Sequence, residues 1–384
     1  MAGTVDVNEG VLGKNPKSIR GPGDGVLGRA WKDTVESVAP FVLALIVGGL
    51  VLLALGRNPI TFYGDIVRAG LFNNSGLQDT VIRMAPLLLM AAGLIVAFQT
   101  SIWNIGGDGQ FLLAAALAAG FGPVFMAAMP VWLSLVILCI IGTITGGLST
   151  IIPAVLKAKY GVNEIISSLM MSFIGVNFAN LLIKGPFRST KTIVPQTGVV
   201  PFAHLLPPIP GTRIHIGIFI ALILLLVVYY VMKKTALGLK LRLLGQNPRA
   251  ALHAGLNNSR LIVGAFMVSG AFMGLAGTVE ILGVWGYMRA DWNPNFGLPL
   301  FALVFLARLN ALAAIPLVGF YAVLSIGGHS AARAADLPDD FILIIVGLVL
   351  LFMALTEYIK ERRSGATWQL LKALRSLWEF KTNE

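Results

Sequence analysis

The sequence predicts an all-α integral membrane protein of about ten transmembrane helices in two five-span halves, with both termini cytoplasmic. Three observations predict it. Apolar residues make up 56% of the 384 and charged residues only 12%, too little charge to clothe a water-exposed surface, since soluble domains carry roughly 25%. Apolar runs of bilayer-spanning length recur along the chain, and Lys and Arg gather at alternate ends of them.

In order, the spans fall near 38–56, 80–98, 109–129, 131–155, 164–183, 214–232, 261–284, 297–308, 312–329 and 341–359, the eighth being short. Ahead of them, residues 1–35 are polar and Gly-rich without the early apolar core of a cleaved signal peptide, and read as a cytoplasmic segment. The membrane domain occupies 36–360, with a cytoplasmic loop at 233–260. The tail, 361–384, is also cytoplasmic; Trp368, Leu371, Leu374 and Trp378 share one helical face suited to lying on the inner membrane surface. With the N-terminus inside, the inner segments hold twenty Lys and Arg and the outer loops eight. Arg83 remains within span two, where it is expected to snorkel.

The outer segment 184–213 is rich in Pro and Gly, reads as an irregular loop able to meet a partner, and divides the chain into its halves. Each half contains one span entered through a broken stretch bearing Asn and Gly: Asn104-Ile-Gly-Gly-Asp-Gly-Gln110 and Asn293-Pro-Asn-Phe-Gly297. Paired interruptions of this kind point to a transport site between repeats.

The net charge of +11 does not indicate nucleic acid, because the basic residues flank apolar runs instead of forming a stripe beside a soluble fold. Cys139 is alone, so no disulfide framework or thiolate site is expected, and four scattered histidines give no metal-ligand spacing. A GxxxxGK[ST] phosphate loop does not occur. No cofactor is therefore expected on this chain, and any ATP and Mg would sit on a separate subunit.

The first interruption is more polar than a connector requires. Trp103 and Phe111 offer stacking faces, and Asn104, Asp108 and Gln110 offer donors and acceptors suited to a sugar or nucleobase. Glycines 106, 107 and 109 are expected to prevent a stable helix, leaving irregular backbone of the kind tolerated at membrane depth only where it is buried in protein or lines a water-filled path. A tight turn with Asp108 capping span three is the alternative.

Asn163 and Glu164 stand at a helix start, where capping competes with a gating role. Ser172, Asn177 and Asn180 interrupt an apolar span, either to meet substrate or to bond between helices. Glu280 lies within span seven, where an ionisable group is functional by default unless it reaches the outer interface. Trp285, Tyr287 and Trp292 follow it and suit an aromatic belt. In the loop 233–260, Asn247 as cap and Pro248 at the first position predict a short cytoplasmic helix, placed to receive force from a soluble motor.

The stretches NIGGDGQFLLAAALAA (104–119), VNEIISSLMMSF (162–173) and LGQNPRAALHAGLNNSRLIVGAFMVSGAFMGLAGTVE (244–280) resemble the nucleoside and simple-sugar branch of bacterial ABC importer permeases. That superfamily also holds branched-chain amino acid and ribose permeases, and the resemblance covers most of the chain from span one to span ten. It implies a non-enzymatic transport subunit in the bacterial inner (cytoplasmic) membrane. The implied partners are a second, homologous permease, an ATP-binding subunit and an extracytoplasmic substrate-binding lipoprotein. It further implies that 245–256, with Gly245, Asn247, Pro248, Arg249, Ala250, Ala251 and Gly255, docks on the ATPase, and that Asn104 to Gln110 border the substrate path. Nucleoside stands ahead of simple sugar as substrate. An ion-coupled secondary carrier is the rival class, disfavoured by the scarcity of acid within the spans.

Overall fold

The computed structural model describes residues 42–338 and 341–363. The N-terminal segment 1–35 and the amphipathic face from Trp368 onward lie outside them. The described residues are helical throughout, apart from loops and isolated β-bridges.

The first half comprises α1 (Val42–Ala54), α2 (Pro59–Val67), α3 (Asn74–Gln99), α4 (Gly107–Ala128), α5 (Val131–Ser149), α6 (Ile151–Tyr160) and α7 (Glu164–Lys184). The second comprises α8 (Gly217–Lys234), α9 (Ala236–Gln246), α10 (Pro248–His253), α11 (Asn258–Glu280), α12 (Gly297–Leu306), α13 (Ala311–Ala334) and α14 (Phe341–Arg363). Each predicted span coincides with a helix. Among the described residues, seven helical segments are long and apolar enough to cross a bilayer by themselves: α3, α4, α5 with α6, α7, α8, α11 with its continuation to Trp285, and α13.

The eighth predicted span, 297–308, is short as expected. At ten residues, α12 is about 15 Å long, half the ~30 Å of hydrocarbon a span must traverse. The residues before it, 286–296, run irregularly, with Asp291 (φ 61°) and Asn295 (φ 53°) left-handed. This limb starts beside the C-terminal end of α7, where Lys184 pairs with Asp291 at 2.8 Å. The turn after α12 is held to the end of α3 by Gln99 Nε2 donating to the Leu309 carbonyl at 2.7 Å.

α3 is the axis of the bundle: every residue from Ala85 to Phe98 is buried. A helix apolar on all sides has to be enclosed on all sides, and α8, α11 and α13 pack around it. The closest pairing is α5 with α11. Gly142 and Gly146 meet Gly270 and Gly274, and a Cβ on any of the four would overlap backbone or Thr side-chain atoms across the contact. Small residues four apart let two backbones approach, which is how helices associate where lipid removes the hydrophobic drive.

The loop 184–213 is irregular, as expected, but firmly anchored. Thr197 N–H donates to the Met288 carbonyl at 3.0 Å, Val200 N–H to Gly286 at 2.9 Å and Leu206 N–H to Leu282 at 2.8 Å. Its apolar side chains Val200, Leu205 and Leu206 are buried.

Candidate functional site

The two broken stretches, nearly two hundred residues apart in sequence, meet in space. Asp108, in the first turn of α4, accepts from the Gly297 backbone N–H that opens α12, at 2.9 Å. Phe111 packs edge-on against Phe296 with ring centroids 5.8 Å apart. Asp108 therefore sits at the start of its own helix and also answers an unpaired N–H at the start of another, where a carboxylate is electrostatically favoured.

The stretch 100–106 is held rigidly. Asn104 and Gln110 form a closed amide pair, Asn104 Nδ2 donating to Gln110 Oε1 at 3.0 Å and Gln110 Nε2 to Asn104 Oδ1 at 2.8 Å. Asn104 Nδ2 also donates to Ser269 Oγ of α11 at 3.0 Å. From α7, Ser168 Oγ accepts from Ile105 N–H at 3.1 Å and Ser172 Oγ from Gly109 N–H at 3.0 Å. Ser172 is about 12 Å along α7, so the start of α4 lies well inside the bundle. Polar backbone at such depth must find protein partners; these serines and the amide pair supply them.

Two expectations are corrected here. Glycines 107 and 109 do not break the helix, since α4 begins at Gly107. They are there for closeness: a Cβ at Gly109 would overlap the Ser172 backbone, and Gly175 of α7 abuts Gly109 in turn. Nor does Arg83 snorkel outward. It turns into the bundle, 3.7 Å from Glu280 and 5.2 Å above the Phe296 ring. Burying an unpaired cation is costly, and Glu280, 2% exposed, is its counter-ion.

Glu280 Oε1 also accepts from Trp285 Nε1 at 3.1 Å. A π-helical turn, Ile281–Trp285, continues α11 and brings the Trp indole back to the carboxylate. Trp285 in turn meets Trp292 edge-on at 5.8 Å.

Of the remaining residues singled out from the sequence, Trp103 is 40% exposed and clusters with Phe98 and Phe305, each 5.3 Å away. Phe111 is fully buried. Asn177 lies on the open face of α7, its Nδ2 donating to the Phe173 carbonyl at 2.8 Å. Asn163 caps α7 by accepting from Ile165 N–H at 2.9 Å, and Glu164 pairs with Lys157 at 2.7 Å. The predicted short helix is present as α10: Asn247 Oδ1 accepts from Ala250 N–H at 3.0 Å, Pro248 follows, and Gly255 (φ 76°) turns the chain out. Arg249 and Leu252 are exposed on it, Ala250 is half-buried and Ala251 is buried. Gly245 packs on the backbone of Gln99 and Thr100, and its carbonyl accepts from Ser101 Oγ at 2.7 Å.

Sequence reasoning missed Ser168, Ser269 and Phe296. Single serines and a phenylalanine carry no local signal of a contact that only folding makes. The inward role of Arg83 did carry one, an arginine within an apolar run.

The fold and the paired half-buried interruptions define a polytopic membrane carrier subunit. Residues 76–354 match the family model described as branched-chain amino acid transport system / permease component. The chain belongs to that family of ABC transporter permease subunits, which translocate solute and are not themselves enzymes. It is 32% identical to the glucose ABC transporter permease protein of Haloferax volcanii, over 88% of this chain and 91% of the relative. It is 27% identical to the guanosine ABC transporter permease protein of Bacillus subtilis, over 82% and 90%. Against the nucleoside ABC transporter permease protein of Lactococcus lactis subsp. cremoris the identity is 25%, over 82% and 88%.

Proposed function

We propose that the chain is the permease subunit of an ATP-driven importer for a nucleoside, in the bacterial inner membrane. The observation that carries the reading is the meeting of the two interruptions at Asp108 and Gly297, beside an exposed tryptophan and a helix, α7, whose outer face is bare. Ile166, Met170, Phe173, Ile174, Phe178 and Leu181 are exposed along α7, a face that fits a second, homologous permease. The substrate path then runs between the two chains, with Trp103 offering a ring to stack on. The guanosine and nucleoside permeases among the relatives support this substrate class. A simple sugar is the second reading, favoured by the glucose permease relative.

Ten crossings with cytoplasmic termini are part of the proposal. Contacts between distant segments support the alternation. Arg57–Asp336, Arg213–Asp79 and Lys184–Asp291 pair at loops assigned outside. Gln99–Leu309 and Ser101–Gly245 join segments assigned inside.

In this reading an extracytoplasmic binding lipoprotein delivers substrate, and an ATP-binding subunit carrying ATP and Mg docks on α10. Leu252, 64% exposed and apolar, is the anchor it would cover. Force reaches the substrate path by one step: α9 carries Gly245, Gly245 holds Ser101, and Ser101 begins the stretch that holds Trp103 and Asn104. The test is co-purification with the candidate ATP-binding subunit, wild type against a chain with 247–255 replaced by a flexible linker, followed by uptake of labelled guanosine and glucose. Association lost with the linker, and guanosine uptake in the wild type, support the reading. Uptake that follows an ion gradient without any ATP-binding subunit overturns it.

A further inference from the structure

Below the end of α3 lies a cavity of about 460 Å³ that the transport reading does not use, walled by α3, α8, α9 and the turn between α12 and α13. Lys233, Arg242 and Arg308 line it together with Tyr229, Ser101 and Gln246, and no lining residue is acidic. Among the described residues none of the three cations has an acidic partner. Lys233 Nζ donates to the Tyr229 hydroxyl at 3.0 Å and lies 5.1 Å from its ring centroid. Arg242 Nε reaches only the Gly238 carbonyl, at 3.4 Å. Arg308 is held at the rim in a left-handed conformation (φ 51°), followed by Leu309 in another (φ 56°), and the Leu309 carbonyl is pinned by Gln99.

Three cations converging on one concavity without an anion repel each other, and two guanidinium groups with an ammonium are the donor set that a phosphate group satisfies. We propose that this cavity binds a phosphate group, supplied by a phospholipid of the inner leaflet. Its position argues for the lipid source. The cavity opens where α8 ends in Lys233 and Lys234, and Phe219, Ile223, Leu226, Val227 and Tyr230 leave an exposed apolar flank on the same helix for the acyl chains. α8 packs on α3 and α13, away from the bare face of α7, so the lipid meets the flank and not the substrate path. The ligand would touch Ser101 and Gly245, the contact between α9 and the first interruption, and so stiffen the joint through which force is proposed to pass.

The test is native mass spectrometry of the delipidated full chain with dioleoylphosphatidylglycerol, and separately with phosphate-free dioleoylglycerol. Variants are Arg242→Gln with Arg308→Gln, Arg308→Lys, and Lys234→Gln, which is adjacent but outside the cavity lining. One phosphatidylglycerol adduct is expected on wild type and on Lys234→Gln. The double variant should lose roughly tenfold or more in occupancy, as expected when one or more charge-assisted bonds go, and Arg308→Lys should retain part of it. Displacement of the lipid by millimolar inorganic phosphate would keep the phosphate site but assign it to a soluble source. Equal binding by wild type and the double variant, equal loss in Lys234→Gln, or equal retention of dioleoylglycerol would overturn the proposal, leaving the three cations as ordinary positive-inside residues. None of these readouts depends on transport.

Discussion

α11 and α7 are alike in sequence and opposite in use. Both are apolar spans interrupted by Ser, Gly and a carboxylate. α11 is enclosed by α3, α4, α5 and α6, and its Gly270, Gly274, Gly277, Ser269 and Glu280 are buried. Among the described residues α7 packs mainly on α4 and α6, burying Ser168, Ser172 and Gly175 on one side while large apolar side chains stay bare on the other. In lipid, apolar surface left uncovered costs little, so hydrophobicity does not decide which faces are enclosed. What decides it is how closely backbones can approach and whether polar groups find partners.

That contrast can be broken most severely at the glycine contact. Gly146→Leu would drive a side chain into the Gly270 and Gly274 backbone, and the expected outcome is loss of folded protein in detergent size-exclusion, a cost of about 3 kcal/mol or more. Glu280→Ala comes next. It leaves the partly buried Arg83 without its counter-ion and the Trp285 indole N–H without its acceptor, a loss of about 2–3 kcal/mol that should appear as a lower thermal midpoint. Replacing both, Arg83→Met with Glu280→Met, should recover most of it, which a role limited to substrate contact would not produce.

Asn104→Ala orphans Gln110 and Ser269 and should cost about 1–3 kcal/mol, lowering the thermal midpoint of the chain alone. Asn247→Ala removes one cap from α10, about 1 kcal/mol, and is expected to weaken pull-down of the ATP-binding subunit more than it shifts the midpoint. On the bare side of α7 the smallest intrinsic effect is expected. Phe173→Ala with Ile174→Ala should change the isolated chain's stability by no more than about 0.5 kcal/mol, while co-purification with a second permease falls. A large loss of stability in the isolated chain would instead mean that α7 is covered from within.

The sequence by itself determined the class of protein, the positions of the apolar helices but not of α2 or α9, the two polar interruptions and the capped helix at Asn247. Each of these is written locally, in runs of apolar residues, in Asn-Pro and Gly signals, and in the distribution of Lys and Arg. The shortness of α12 was legible as well, in the brevity of its apolar run, whereas the course of the limb before it was not, because Asp, Asn and Pro mark a break without saying where the chain goes. The tertiary structure alone decided that Asp108 meets Gly297, that Asn104 and Gln110 satisfy each other, and that Arg83 turns inward to Glu280. It also decided which side of α7 stays open, and it gathered Lys233, Arg242 and Arg308 around one cavity. The physical reason is common to all of these. A hydrogen bond or ion pair within a membrane protein joins segments tens to hundreds of residues apart, and its partner is fixed by helix packing, on which neither residue's local sequence carries any mark.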